Sequence, residues 1–137
     1  MEYKHIEVKP IAGALGAEIH GVDLSQPMDD ETFSEVHAAY LEHQVIFFRD
    51  QHMTPDQHKD FGRRFGALNI HPQYLPLDGH PEILPVLKEA SDANNIGGVW
   101  HADVTFFPEP VMGSILYALE VPETGGDTMF SSQYRAY

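Results

Sequence analysis

The sequence predicts a mainly β fold with flanking helices, and three observations carry that reading. Short apolar, β-prone runs recur between turn signals rich in Gly, Pro, Asn and Asp. Two segments instead open with helix-capping residues and continue with apolar side chains at helical spacing. No internal repeat or low-complexity tract interrupts the alternation.

Taken in order, Tyr3 to Val8 reads as a first strand, and Ala17 to Val22 alternates with period two between glycine-bearing turns. Asp29 is placed to cap a helix, with Asp30 and Glu31 at the positive end of its dipole and Phe33, Val36 and Tyr40 along one face. Val45 to Phe48 is a continuous apolar run that suits a strand covered on both faces. Thr54-Pro55-Asp56-Gln57 joins a capping-box pattern to a proline at the first helical position. Phe61 and Phe65 then fall four residues apart, and Gly66 is the expected stop.

From Asn69 to Gly98 the composition turns to Pro, Gly, Asn and Asp, which reads as a long functional loop with a short edge strand at Ile83 to Leu87 around Pro85. Val99 to Phe107 is expected as a strand that stops at Pro108-Glu109-Pro110, and Ser114 to Leu119 as a buried strand. Pro122 to Asp127 is a turn, Thr128 to Phe130 a further strand, and Ser131-Ser132 the cap of a last helix.

Composition narrows the function classes. The 137 residues, 42% hydrophobic and 11% aromatic, suffice for a domain with its own core. Eight Lys and Arg against 21 Asp and Glu give a formal net charge of −13, which opposes binding to nucleic acid and to anionic membrane surfaces. Without cysteine there is no disulfide, thiolate metal site or thiol catalysis, so a metal must be held by His, carboxylate, carbonyl or water. No apolar run approaches the roughly 18 residues of a membrane span or signal core, and the cytoplasm is the expected compartment.

Within this frame Trp100-His101-Ala102-Asp103 stands out. On a strand, residues i and i+2 face the same side, so His101 and Asp103 would offer an imidazole and a carboxylate to one metal, two of the three ligands of a ferrous facial site. A polar strand end or a turn is the commoner meaning of a lone His-x-Asp, and both readings stand at this level.

The motif has ordered company. Trp100-His101-Ala102-Asp103-Val104-Thr105-Phe106 and Gly125-Gly126-Asp127-Thr128 follow Gly16 to Leu24, His43 to Gln51, Arg64-Phe65-Gly66 and Ile70-His71-Pro72. This ordered set resembles the taurine dioxygenase branch of the TauD/TfdA family of Fe(II)- and 2-oxoglutarate-dependent dioxygenases.

The resemblance implies a double-stranded β-helix, a cupin-like jelly roll with helices packed outside. It implies His101 and Asp103 as iron ligands, Thr128 as a hydrogen-bond donor to 2-oxoglutarate, and His71, Tyr74, Val104 and Phe106 as substrate-binding residues. Fe(II) would be the cofactor, with 2-oxoglutarate and O2 as cosubstrates. The implied reaction hydroxylates a small anionic substrate and forms succinate and CO2; a sulfonate such as taurine would release sulfite and an aldehyde. A homo-oligomer is expected of the intact enzyme.

Two departures qualify the match. Taurine-specific members carry an Asn- and Asp-rich segment just before the Trp-His, whereas Asn94 and Asn95 are followed here by Ile96-Gly97-Gly98-Val99, which favours a less polar sulfonate, a sulfate ester or an aryloxy or other carboxylate. Family members also run to roughly twice this length. Residues 1–137 are therefore expected to be the N-terminal part of a single such domain, whose C-terminal part, with a second histidine ligand and the arginine for 2-oxoglutarate, is absent. Such a fragment would be inactive alone, with unpaired strand edges. A non-catalytic jelly-roll binding module and a zinc or manganese hydrolase or isomerase are the readings from other classes.

Overall fold

A computed structural model describes residues 2–89, 91–93 and 97–137. The regular elements are strands β1 (Glu7–Pro10), β2 (Ala17–His20) and β3 (Ile46–Phe47) and helices α1 (Asp30–His43), α2 (Pro55–Arg63) and α3 (Gln133–Ala136). The strands form one mixed sheet in the order β1-β2-β3, antiparallel between β1 and β2 and parallel between β2 and β3. Glu7 pairs with His20 and Pro10 with Ala17 on one side of β2, while Ala17 and Glu18 pair with Ile46 and Phe47 on the other.

The chain divides into two compact units, residues 1–58 with 118–137 and residues 59–117. In the first unit α1 lies against β2 and β3, burying Val36 and Ala39 near Ala17 and Ile19 of the central strand; Ile6 and Leu24 complete this small core. Helix α1 starts where the sequence places it, because the Asp29 carboxylate accepts the Thr32 N–H at 2.7 Å. That hydrogen bond also holds the Asp29 carboxyl below its ordinary pKa. The helix closes at Gln44, whose φ of 67° directs its N–H to the Tyr40 carbonyl.

Strand β1 begins four residues later than the sequence suggested, and the reason is a competing acceptor. The Glu35 carboxylate on α1 accepts backbone N–H groups from Lys4 (2.8 Å), His5 (2.8 Å) and Ile6 (3.2 Å), so this stretch is tied to a helix and not to a ladder. Burial works against the Glu35 charge, but the three N–H donors outweigh it and keep its pKa below the ordinary value. Nearby, burial and the Glu42 carboxylate push the Tyr3 hydroxyl, which donates to Glu42 at 3.0 Å, up to about 12.

Strand β2 is cut short after His20 by Gly21, whose φ of 88° turns the chain away. Strand β3 is two residues long and half-buried at the sheet edge, where a strand covered on both faces was expected. Helix α2 carries the expected capping box: Gln57 N–H reaches Thr54 Oγ1 at 3.3 Å, and Thr54 N–H reaches Gln57 Oε1 at 2.7 Å. The free end of the Gln57 amide donates to the Ser25 carbonyl at 2.8 Å and so ties the cap to the preceding loop.

Residues 118–137 return to the first unit. Phe130 meets Phe47 edge-on with centroids 6.1 Å apart, and Arg135 donates to the Gly13 carbonyl at 2.7 Å. Ser132 stands at the N-cap position of α3, but its hydroxyl donates to Gln44 Oε1 at 2.8 Å and does not cap the helix.

In the second unit, Phe61 and Phe65 form the expected pair, edge-on at 5.4 Å. The stretch from residue 69 to 89 is irregular, with one isolated bridge between Leu77 and His80, and the expected strand at Ile83 to Leu87 does not form. Nor do the strands expected at Val99 to Phe107 and Ser114 to Leu119 or, in the first unit, at Thr128 to Phe130. A strand exists through its ladder, and among the described residues no segment pairs with any of these. The described residues thus show a small mixed sheet with helices.

Candidate functional site

His101 and Asp103 meet, although not by the geometry the sequence suggested. The backbone turns over residues 103–106, and Val104 adopts a φ of 52°, unusual for a β-branched residue. Across this turn His101 Nε2 lies 3.3 Å from Asp103 Oδ1, with both side chains about half exposed.

Three neighbours orient the pair. His101 Nδ1 lies 2.7 Å from the Val99 carbonyl, which can only accept; Nδ1 therefore donates to it, and Nε2 is the ring nitrogen that faces Asp103. On the other side Ser114 Oγ donates to Asp103 Oδ2 at 2.8 Å, leaving Oδ1 to face the imidazole. Gly97 has a φ of 73°, and a Cβ built there would stand 3.2 Å from His101 Cε1, so a side chain at this position would press on the ring.

This donor set fits a divalent cation. Two donors each about 2.1 Å from one octahedral ion and at right angles are about 3 Å apart, close to the observed separation. A metal-bound histidine ordinarily gives its other N–H to a carbonyl or carboxylate, as His101 does to Val99. Among the described residues no group of three His, Cys, Asp or Glu side chains forms a cation site, so the pair supplies two ligand positions.

The remaining predicted residues fall elsewhere. His71 and Tyr74 pack together with ring centroids 4.8 Å apart, and the Gln73 N–H donates to His71 Nδ1 at 3.2 Å. Nδ1 is then an acceptor and Nε2 carries the hydrogen, a donor suited to an anion. Phe106 is exposed and pairs with Phe107 at 4.8 Å. Among the described residues the His71–Tyr74 pair shares no hydrogen bond or ring contact with His101 and Asp103. Thr128 lies exposed just past Gly125 and Gly126, in the first unit, whereas the other predicted site residues belong to the second. Asn94, Asn95 and Ile96, on which the substrate expectation partly rests, lie outside the described residues.

Sequence reasoning missed Ser114 and Gly97 as partners of the pair. Ser114 carried no spacing signal, being 11 residues from Asp103, while Gly97 was legible only as one of two adjacent glycines.

A turn-borne His-x-Asp pair with oriented donor atoms defines a candidate mononuclear metal protein, and comparison with known proteins gives the class. Residues 7–137 match the family described as Taurine catabolism dioxygenase TauD, TfdA family. The chain belongs to this family. An alkylsulfatase of Acinetobacter baylyi is 37% identical over 136 residues, 98% of this chain and 42% of that protein. An alpha-ketoglutarate-dependent sulfate ester dioxygenase of Pseudomonas putida is 36% identical over 133 residues, 96% of this chain and 43% of that protein. In structure, a taurine dioxygenase from Burkholderia xenovorans superposes with a TM-score of 0.54 at 42% identity, covering 57% of this chain and 28% of that one. The chain thus spans about two fifths of the length of these curated relatives.

The described residues include no helix long and apolar enough to cross a membrane.

Proposed function

We propose that this chain is the N-terminal part of a single Fe(II)- and 2-oxoglutarate-dependent dioxygenase domain with a jelly-roll core, acting on a small sulfur oxyanion. The observation that carries the reading is the oriented His101–Asp103 pair, 3.3 Å apart, in a chain of the TauD/TfdA family. A second histidine and an arginine for 2-oxoglutarate would come from the further length that the relatives possess.

His101 Nε2 and Asp103 Oδ1 would hold the iron on one side, leaving other positions for cosubstrates. When bound, Fe(II) with 2-oxoglutarate and O2 supplies oxidative decarboxylation to succinate and CO2 together with insertion of one oxygen atom into a substrate C–H bond. The Thr128 hydroxyl donates to the distal carboxylate of 2-oxoglutarate. His71, protonated on Nε2, donates to an oxygen of the sulfur oxyanion. Tyr74, Val104 and Phe106 supply the less polar wall of that pocket and exclude water from the reacting carbon.

The exact substrate class rests on two supports. Gly97, Gly98 and Val99 before Trp100 lack polar groups that would pair with an ammonium. Of the two curated relatives above, one is named an alkylsulfatase and the other a sulfate ester dioxygenase. We therefore place an alkyl sulfate ester beside an alkylsulfonate as substrate; hydroxylation at the carbon bearing the ester oxygen ends in an aldehyde and sulfate, and at the carbon bearing the sulfonate sulfur in an aldehyde and sulfite.

The test is turnover by the protein expressed from its complete reading frame, supplied with Fe(II), 2-oxoglutarate and O2. Succinate formation stimulated by an alkyl sulfate or alkylsulfonate, with matching sulfate or sulfite release, is the expected result. Succinate formation stimulated only by aryloxy acids would overturn the sulfur assignment, and none with any of these anions would overturn the dioxygenase reading.

A further inference from the structure

We propose that Ser114 is a positioning residue of the metal centre, selecting which oxygen of Asp103 meets the cation. The inference rests on the metal reading of the His101–Asp103 pair and adds to it a residue outside the motif. A carboxylate ligand has two equivalent oxygens on a broad, roughly two-fold side-chain torsion, so nothing in Asp103 itself decides between presenting one oxygen and chelating through both. Ser114 has a single hydroxyl hydrogen, and it is given to Asp103 Oδ2 at 2.8 Å. Oδ2 is thereby engaged on the side away from the imidazole, while Oδ1 remains 3.3 Å from His101 Nε2.

The Val99 carbonyl performs the matching task for the imidazole by taking the Nδ1 hydrogen at 2.7 Å. Each side chain thus has one donor atom 3.3 Å from the other's and its second polar atom occupied. A hydroxyl is the appropriate partner for the carboxylate, because it holds the outer oxygen without adding a charge that would compete with a cation.

Cobalt(II) is the probe, since its binding and its visible spectrum both report the ligand set without turnover. The protein from its complete reading frame is titrated as wild type, H101A, S114A, S114T and S114V. Loss of one such outer hydrogen bond should weaken cobalt binding by about tenfold in S114A and S114V and shift the absorption bands as Asp103 is released to bind through both oxygens. S114T keeps the hydroxyl and should bind like wild type with the wild-type spectrum. Wild-type affinity and spectrum in S114A and S114V, with H101A impaired, would overturn the role of Ser114 while leaving the metal pair standing. A loss in S114T as large as in S114V would assign the effect to side-chain bulk and likewise overturn it. Unimpaired cobalt binding in H101A would remove the metal reading itself, and this inference with it.

Discussion

Among the described residues the first unit, residues 1–58 with 118–137, buries Ile6, Ala17, Ile19, Leu24, Val36 and Ala39, whereas in the second, residues 59–117, the buried apolar side chain is Phe61. The second unit exposes Leu75, Val99, Trp100, Phe106 and Leu116, yet it holds the oriented His101–Asp103 pair. Each unit is held by a different kind of interaction. The first closes through caps, a sheet and one helix packed on it, with the Glu35 carboxylate on that helix also holding the Lys4 N–H across 31 residues of sequence. The candidate site instead depends on a few side-chain to backbone and side-chain to side-chain hydrogen bonds across a turn. Stability changes are therefore expected to concentrate in the first unit and changes in ligand binding in the second.

The largest effect expected is in the second unit. Replacing His101 or Asp103 by Ala removes one of two donor atoms, and metal affinity should fall by 100-fold or more with little change in melting temperature, read by cobalt titration and thermal unfolding. A large drop in melting temperature in either variant would break the division between the units. In the first unit Val36→Ala opens a hole where the side chain is fully buried and should cost about 2 kcal/mol, measured by denaturant unfolding, without altering metal affinity.

Thr128→Val sharpens the comparison, because Thr128 belongs to the first unit by position but to the site by its proposed role. About tenfold more 2-oxoglutarate should be needed for half-maximal rate, with metal binding unchanged. Thr54→Ala removes one half of the capping box and should destabilise the protein by about 1 kcal/mol in the same unfolding experiment.

The smallest effect is one of pH. The pKa of Glu35 is lowered on folding, so its stabilising contribution is complete above the ordinary glutamate value of 4.5 and is lost as pH falls through the lower, folded value. Melting temperature should therefore decline below about pH 4.5. Glu35→Gln should be less stable at neutral pH and show a shallower decline; an unchanged acid profile would remove Glu35 as the anchor of the N-terminal segment.

What could be read from sequence follows the same division. Asp29 and Thr54 announced their helices because a cap is a contact over three residues, and its pattern is written locally. The start of β1 was misplaced because Glu35, about thirty residues away on α1, takes the N–H groups of Lys4, His5 and Ile6. The strands expected at 99–107, 114–119 and 128–130 were inferred from side-chain preference, but strand pairing is non-local, and the described residues offer these segments no ladder. The partnership of His101 and Asp103 was legible even so, because two residues are too close in sequence to separate far, whether by strand or by turn. Ser114 was not legible, since its contact with Asp103 depends on the path of the intervening chain.

The most direct test of the metal pair is anomalous diffraction at the iron edge, from crystals of the protein from its complete reading frame grown anaerobically with Fe(II). The predicted result is one strong peak about 2.1 Å from both His101 Nε2 and Asp103 Oδ1, with the Ser114 hydroxyl still on Asp103 Oδ2. Iron bound at other residues, with His101 and Asp103 paired only to each other, would contradict it.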